Sequence, residues 1–231
     1  MAKSTVPGRA AARLAEANSV VVIGLGRFGS ALATELERTG TEVLGVDIDY
    51  DLVQAHSGLL THVVQADCTT EEALRQLAIP DFDRVVVGIG SNIEASILTS
   101  SLVVGFAVPS IWAKAITEAH GRILTQIGVH HVSYPEADMG RRVAHLVRGA
   151  MLDYVEFEDN FAMVKTKPPE FALGKTLLQA QIRAKHGVTV IAIKHPGEDW
   201  THANQDTMMA PDDLIIVAGP TRKTEQFALV D

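Results

Sequence analysis

The sequence predicts an α/β protein: a Rossmann-like doubly wound parallel sheet followed by a small α+β C-terminal domain. Three observations carry that expectation. Between Ser19 and Ser133, six short apolar runs alternate with helix-period segments, the pattern of parallel strands joined by crossover helices. The first run, SVVVIG, leads directly into Gly24, Gly26 and Gly29, a G-x-G-x-x-G that opens a helical segment. After Met151 the pattern changes to short strands around turns, which sets off a second domain.

Each element has its own signal. SVVVIG (19–24) is uninterrupted apolar sequence, as in a strand buried on both faces. RFGSALATELERTG follows as a helix stopped by Gly40. EVLGVD (42–47) predicts the second strand, with a short helix over Tyr50 to His56 behind it. THVVQAD (61–67) is the third, and TTEEALRQLA a helix that Pro80 terminates. DRVVVGIG (83–90), helix NIEASILTSSLVVGF, SIWAKA (110–115), helix EAHGRILTQIG and a short HHVSY strand complete the sheet. Right-handed crossovers place all six strand C-terminal ends on one edge, where GLGRFG, Asp47, Asp67 and Gly88–Gly90 collect.

Pro135 opens a further helix, EADMGRRVAHLVRGAM (136–151), with Met139, Val143, Leu146 and Val147 on one face. No strand follows it to pair, so that face either packs on its own chain or on a neighbour. Beyond it, DYVEFEDNFAMVKTKPP predicts two antiparallel strands around an EDN turn, LGKTLLQAQIRAKHG a helix, VTVIAIKHPG and APDDLIIVAG strands, and TRKTEQFALV a closing helix. The expected divisions are a flexible arm over 1–18 with a helical turn or two near Ala10 to Ala17, a nucleotide-binding domain over 19–135, a linking helix over 136–151, and a C-terminal domain over 152–231.

Composition narrows the function. Of 231 residues, 28 are acidic and 20 are Lys or Arg, a formal charge of −8 that opposes a nucleic-acid-binding role and attachment to anionic lipid. No run approaches the roughly 20 apolar residues of a membrane-spanning helix, and the arm lacks the apolar core of a signal peptide. With one cysteine, Cys68, an intramolecular disulfide and a cysteine zinc cage are both excluded. The expected location is cytoplasmic.

The glycines have separable tasks. Gly24 permits the tight turn, Gly26 lets the backbone approach a pyrophosphate, and Gly29 brings the helix close to the first strand. Phosphate would then sit on the free N–H groups of the helix N-terminus. Asp47, 23 residues after Gly24 at the end of the second strand, is suited to accept hydrogen bonds from ribose hydroxyls and would repel a 2′-phosphate. Arg27 either offsets terminal phosphates or is an exposed first-turn arginine. Asp49 either reaches the ribose or caps the next helix. Asp67 and Cys68 end the third strand where an adenine edge would lie, with Cys68 read as a small buried residue. Glu136 follows Pro135 at the same sheet edge and could hold a cation beside phosphates, although a first-turn acid is favoured there anyway.

GKT at 174–176 imitates a phosphate-loop motif but fails it, because Pro169 stands where a glycine five residues earlier is needed. The nine histidines show no metal spacing, and His130 and His131, as strand neighbours, point to opposite faces. The C-terminal 80 or so residues contain no nucleophile elbow, no Ser/Tyr/Lys set and no evident His–Asp pairing. That absence opposes a dehydrogenase, whose substrate domain must supply an acid or base. The expectation is a non-enzymatic binding protein, against an NAD(H) redox sensor or a small NAD-dependent oxidoreductase.

VVIGLGRFGSALATEL, VLGVDID, VGIGSNIEAS, IWAKA and YPEADMG, in this order, resemble the RCK N-terminal (TrkA-N) domain of potassium channel and transporter regulators. LGKTLLQAQIRAKHGVTVIAIKHPG followed by APDDLIIVAG is similar to the RCK C-terminal (TrkA-C) domain, and together they span residues 19 to 228. One such pair without a membrane segment resembles the KtrA-type subunits of Ktr/Trk potassium uptake systems. The resemblance implies a cytosolic subunit, peripheral at the inner face of the cell membrane, whose dimers assemble into an octameric ring on a KtrB-type membrane subunit. ATP would favour the conducting state and ADP the inactive one, whereas Trk-type relatives bind NAD or NADH.

The nucleotide residues so implied are Gly24, Gly26, Arg27, Phe28, Gly29, Asp47, Ile48, Asp49, Asp67, Cys68, Ile89, Gly90, Lys114 and Glu136. Glu136 matches an acid that helps bind a Mg, Ca or Na ion near the γ-phosphate, and 136–150 matches a crossover helix that packs on the partner subunit. Some relatives bind cyclic di-AMP between C-terminal lobes. Ile182, Arg183 and Ala184 fall on that stretch, where KHG stands in place of the commoner K-Y-G.

Overall fold

The computed structural model describes residues 19–147, 151–157 and 160–230. The arm with its expected turns near Ala10 to Ala17, residues 148–150 of the linking helix, and Glu158 and Asp159 of the EDN turn lie outside the described residues. The chain divides into two compact units at the bond between Glu136 and Ala137.

In the first unit β1 (Val20–Ile23), β2 (Val43–Asp47), β3 (His62–Gln65), β4 (Arg84–Val87), β5 (Ser110–Lys114) and β6 (His131–Ser133) form one sheet in the order β3-β2-β1-β4-β5-β6. Every pairing is parallel, as the expected crossovers require. Helices α1 (Arg27–Arg38), α2 (Tyr50–His56), α3 (Glu71–Gln76), α4 (Ile93–Gly105) and α5 (Glu118–Gln126) make the connections.

The alternation of side chains along each strand feeds two cores. Val21, Ile23, Leu44, Val46, Val85, Val87, Ile111 and Ala113 pack with Leu74 of α3, Val103 of α4 and Leu124 of α5. Val20, Val22, Val43 and Val86 pack on the other face with Ala33 of α1 and partly buried Leu52 of α2. Burying both faces explains why these strands read as unbroken Val/Ile runs. Strand order reverses between β1 and β4, and this switch point opens a crevice at the strand C-terminal ends.

Helix α6 (Pro135–Val147) follows β6. Of its four apolar positions, Leu146 packs against Met151, Tyr154, Ala162, Val164 and Ala228, whereas Met139, Val143 and Val147 are 53%, 44% and 80% exposed. Self-packing thus accounts for one of the four. The helix reading through Met151 also needs correction, since Met151 is not helical.

The second unit is a five-stranded sheet in the order β10-β9-β11-β8-β7, built from β7 (Asp153–Phe157), β8 (Phe161–Thr166), β9 (Thr189–Lys194), β10 (Thr201–His202) and β11 (Leu214–Pro220), with every pairing antiparallel. The short β10 has no signal in the sequence. The single helix expected over 173–187 is in fact two, α7 (Leu177–Ala180) and α8 (Ile182–His186), separated by Gln181 in the left-handed conformation at φ 54°. Ala180 and Ile182 are both buried, and in one continuous helix their side chains would lie about 200° apart. The break turns both inward. Helix α9 (Thr221–Ala228) closes the unit, with Phe227 and Ala228 buried.

Candidate functional site

The turn after β1 is built as its glycines require. Gly24 has φ +94°, and a Cβ there would lie 2.9 Å from the Ile89 nitrogen. A Cβ on Gly29 would lie 1.8 Å from the Gly24 carbonyl oxygen, a backbone atom that cannot step aside. Gly26 differs: nothing lies within 4 Å of where its Cβ would be. It is the N-cap residue of α1, and no side chain caps that helix. The four following helices all carry side-chain caps, from Asp49, Thr70, Asn92 and Thr117. An uncapped helix start leaves N–H donors unpaired by the protein, and these attract an anion.

Asp47 has a task that spacing did not disclose. Its Oδ2 accepts from the Leu25 N–H at 2.6 Å and its Oδ1 from the Asp49 N–H at 2.9 Å. The carboxylate therefore clamps the glycine turn to the end of β2 while lying at the crevice. Asp49 caps α2 by accepting from Asp51 N–H at 2.8 Å, the second alternative read from the sequence, and it also lines the crevice.

The crevice is a cavity of about 1020 Å³. Gly24, Gly26, Arg27 and Phe28 form its floor beside β1, Asp47, Ile48 and Asp49 its wall at β2, and Asp67 and Cys68 its wall beyond β3. Ile89 and Gly90 after β4, Lys114 at the end of β5 and Glu136 after β6 complete it. Of the nucleotide residues expected, all except Gly29 line this space, and Gly29 sits beneath it against Gly24. Asp67 and Cys68 lie just past the end of β3. Ser91, Asn92 and Leu98, from the start of α4, also line the cavity and had no distinguishing signal in the sequence.

Charge is distributed unevenly around it. Lys114 is buried, and its Nζ donates to Glu136 Oε1 at 2.5 Å. The bond to Lys114 holds the Glu136 carboxyl below its usual range, with a smaller contribution from the charge of Arg27. Asp67 is likewise held low by the Thr69 hydroxyl and amide. The Cys68 thiol is 4% exposed, and burial, reinforced by Asp67 and Asp47, pushes it up to about 12. It is a small buried apolar group and not a reactive thiolate. Among the described residues no three His, Cys, Asp or Glu side chains converge as metal ligands.

In the second unit, Ile182 is buried while Arg183 and Ala184 are exposed on α8. His186 keeps aromatic company, stacked on Phe171 at 5.1 Å and edge-on to Phe227 at 5.4 Å. Thr176 of the GKT segment forms a capping box with Gln179, a structural reason for its place. One expectation fails here: a His–Asp pair does exist. His195 Nδ1 meets Asp213 Oδ1 at 2.7 Å, and Asp213, fully buried, also accepts from the Ala210 N–H at 2.6 Å. The partners are 18 residues apart and join only because β9 and β11 pair, so spacing could not show them.

The TrkA-N domain model matches residues 20–135 and the TrkA-C domain model residues 162–229. The Ktr system potassium uptake protein C of Bacillus subtilis (strain 168) is 37% identical over 207 residues, 89% of this chain and 94% of that protein. The Ktr system potassium uptake protein A of Vibrio alginolyticus is 36% identical over 203 residues, 87% of this chain and 92% of that protein. Among solved structures, the GsuK channel bound to NAD shares the fold with a TM-score of 0.65 at 17% identity, over 92% of this chain and 39% of that longer one. The chain belongs to the TrkA-N/TrkA-C family of RCK proteins, together with the Ktr system potassium uptake proteins.

Proposed function

We propose that this chain is a non-enzymatic regulatory subunit that controls a KtrB-type membrane potassium transporter or channel through the nucleotide it binds. The observation that carries the reading is the cavity at the switch point, lined both by the uncapped start of α1 and by the acids that follow β2. Phosphates would lie on the α1 N–H groups beside Arg27, and the ribose on Asp47 and Asp49. Adenine would lie between Ile48 and the Asp67–Cys68 turn. Among the described residues no helix is long and apolar enough to cross a membrane, so the pore would belong to the partner.

ATP and ADP differ by one phosphate, so a switch between them requires contacts that only the longer nucleotide reaches. Arg27 and Glu136 stand at that end. A Mg, Ca or Na ion there would take Glu136 as its protein ligand and phosphate oxygens for the rest, and would neutralise charge between them. Dimers joined through the exposed face of α6 would assemble into an octameric ring, and cyclic di-AMP would bind across paired C-terminal units at Ile182, Arg183 and Ala184. The volume of the cavity also suits a full dinucleotide, so an NAD(H)-responsive sensor is the second reading. Calorimetric titration with ATP, ADP, NADH and cyclic di-AMP decides between them. ATP and ADP are expected to bind, and binding of NADH alone would overturn the ATP/ADP assignment.

A further inference from the structure

Lys114 and Glu136 make an unequal pair. The lysine side chain is 10% exposed and the glutamate 57%. The ammonium reaches the cavity past Gly90, where a Cβ would lie 3.0 Å from its Nζ, and the Phe28 ring centre lies 5.9 Å from it. A buried ammonium must keep an anionic partner, because leaving it unpaired costs several kcal/mol. An exposed carboxylate loses little by turning into water. The lysine is therefore the fixed member, and its counter-ion is the exchangeable one.

Glu136 is the second residue of α6, whose residues from Ala137 onward belong to the second unit. Among the described residues, the pair is the ion pair that ties this first turn to the end of β5. Arg141 and Arg142, further along the helix, pair with Asp138 and Asp153 instead.

We propose that Lys114 is the residue that senses nucleotide length, by exchanging Glu136 for a terminal phosphate. With the cavity empty, or filled by a ligand too short to reach Lys114, Glu136 is the counter-ion and the start of α6 is pinned. A phosphate that reaches Nζ takes over the charge, Glu136 is released to solvent or to a cation, and the first turn of α6 is untied. The inference rests on the proposed nucleotide site and adds to it the link from that site to the helix leading into the second unit.

The test is a double-mutant cycle on the full chain in EDTA, so that no divalent cation contributes. Affinities for ATP and ADP are measured by calorimetry for wild type, Glu136→Gln, Lys114→Met and the double variant. Removing the competing carboxylate is expected to tighten ATP about five- to tenfold and ADP by less. That gain should vanish when Lys114 is already Met. Hydrogen exchange of the α6 amides reports the untying: ATP should speed exchange at residues 138–141, the first amides that the helix itself bonds, in wild type, and Glu136→Gln should be fast there without nucleotide.

If Glu136 merely repels phosphate, Glu136→Gln tightens ATP equally with and without Lys114, and the exchange is overturned. If Glu136 serves only a cation, ATP affinity in EDTA stays unchanged, which overturns it as well. Should Lys114→Met fail to fold, the hydrogen-exchange comparison of wild type with Glu136→Gln still decides. Failure of wild type to bind any nucleotide would instead remove the proposed function itself.

Discussion

The two sheets handle buried and converging polar groups in opposite ways. Around the parallel sheet of the first unit, Asp47 at the end of β2, Lys114 at the end of β5 and Glu136 at the start of α6 approach one crevice, and α1, which begins there, has no side-chain cap. In the antiparallel sheet of the second unit, the most buried carboxylate, Asp213, is satisfied on both oxygens by His195 and the Ala210 amide. Parallel strands all end on the same edge, so their terminal groups face a common space that an outside ligand can fill. Antiparallel strands end alternately on opposite edges, and a polar group stranded there must find its partner within the chain. The first unit leaves the amides at the start of α1 without a side-chain cap, whereas the second closes its buried carboxylate, which separates a candidate ligand site from a structural pair.

The largest effect should come from breaking the glycine turn. Gly29→Ala sets a Cβ 1.8 Å from a carbonyl oxygen, so nucleotide binding should be lost and stability should fall by about 3 kcal/mol, read from denaturant midpoints. Gly187→Ala in the second unit is the contrasting case. Its φ is +69°, but the nearest atom is the tip of the Lys223 side chain, so a loss of about 1–2 kcal/mol with intact nucleotide binding is expected.

Asp213→Ala should remove about 3 kcal/mol by undoing a fully buried, doubly bonded carboxylate. It should leave ATP affinity unchanged, and a calorimetric loss of binding would contradict the division between the two sheets. Asp47→Ala tests the other side of that division. It should weaken ATP and ADP by a factor of about 100, since both the proposed ribose contact and the clamp on Leu25 go. Asp47→Asn keeps acceptor geometry with half the oxygens and should fall between the two.

The smallest effect concerns His120, 2% exposed, with Nδ1 accepting from the Ile116 N–H at 3.4 Å and Nε2 buried without a partner. Burial lowers its pKa from 6.5. A depressed histidine binds its proton more readily when unfolded, so its contribution is complete above that unfolded value. It is lost as the pH falls from there through the folded value. Urea midpoints measured from about pH 7.5 down to about pH 5, a range spanning the ordinary histidine value of roughly 6.5, should decline in wild type. The decline should be shallower in His120→Leu, and an identical slope would mean that this histidine does not contribute.

Much of this was legible along the chain. Continuous Val/Ile runs announced strands buried on both faces, and the regular alternation with helices fixed a parallel sheet whose ends converge. Gly24, Gly26, Gly29 and Asp47 could be assigned to one site from spacing, because the first turn and the second strand of this topology always meet. Where local signals competed with burial, the sequence was weaker. The segment from Leu177 to His186 reads as one helix by composition, yet Ala180 and Ile182 must both face the core, and Gln181 takes a left-handed conformation to permit it.

The sequence by itself determined the elements of the first unit, the glycine turn, and the family resemblance, since each rests on residues close together or on a fixed period. Only the tertiary structure decided that Asp47 holds the Leu25 amide, that Lys114 is buried against Glu136, and that His195 finds Asp213. These contacts span 18 to 22 residues and depend on strand register and burial. Local periodicity carries no record of which distant polar groups desolvation will force together.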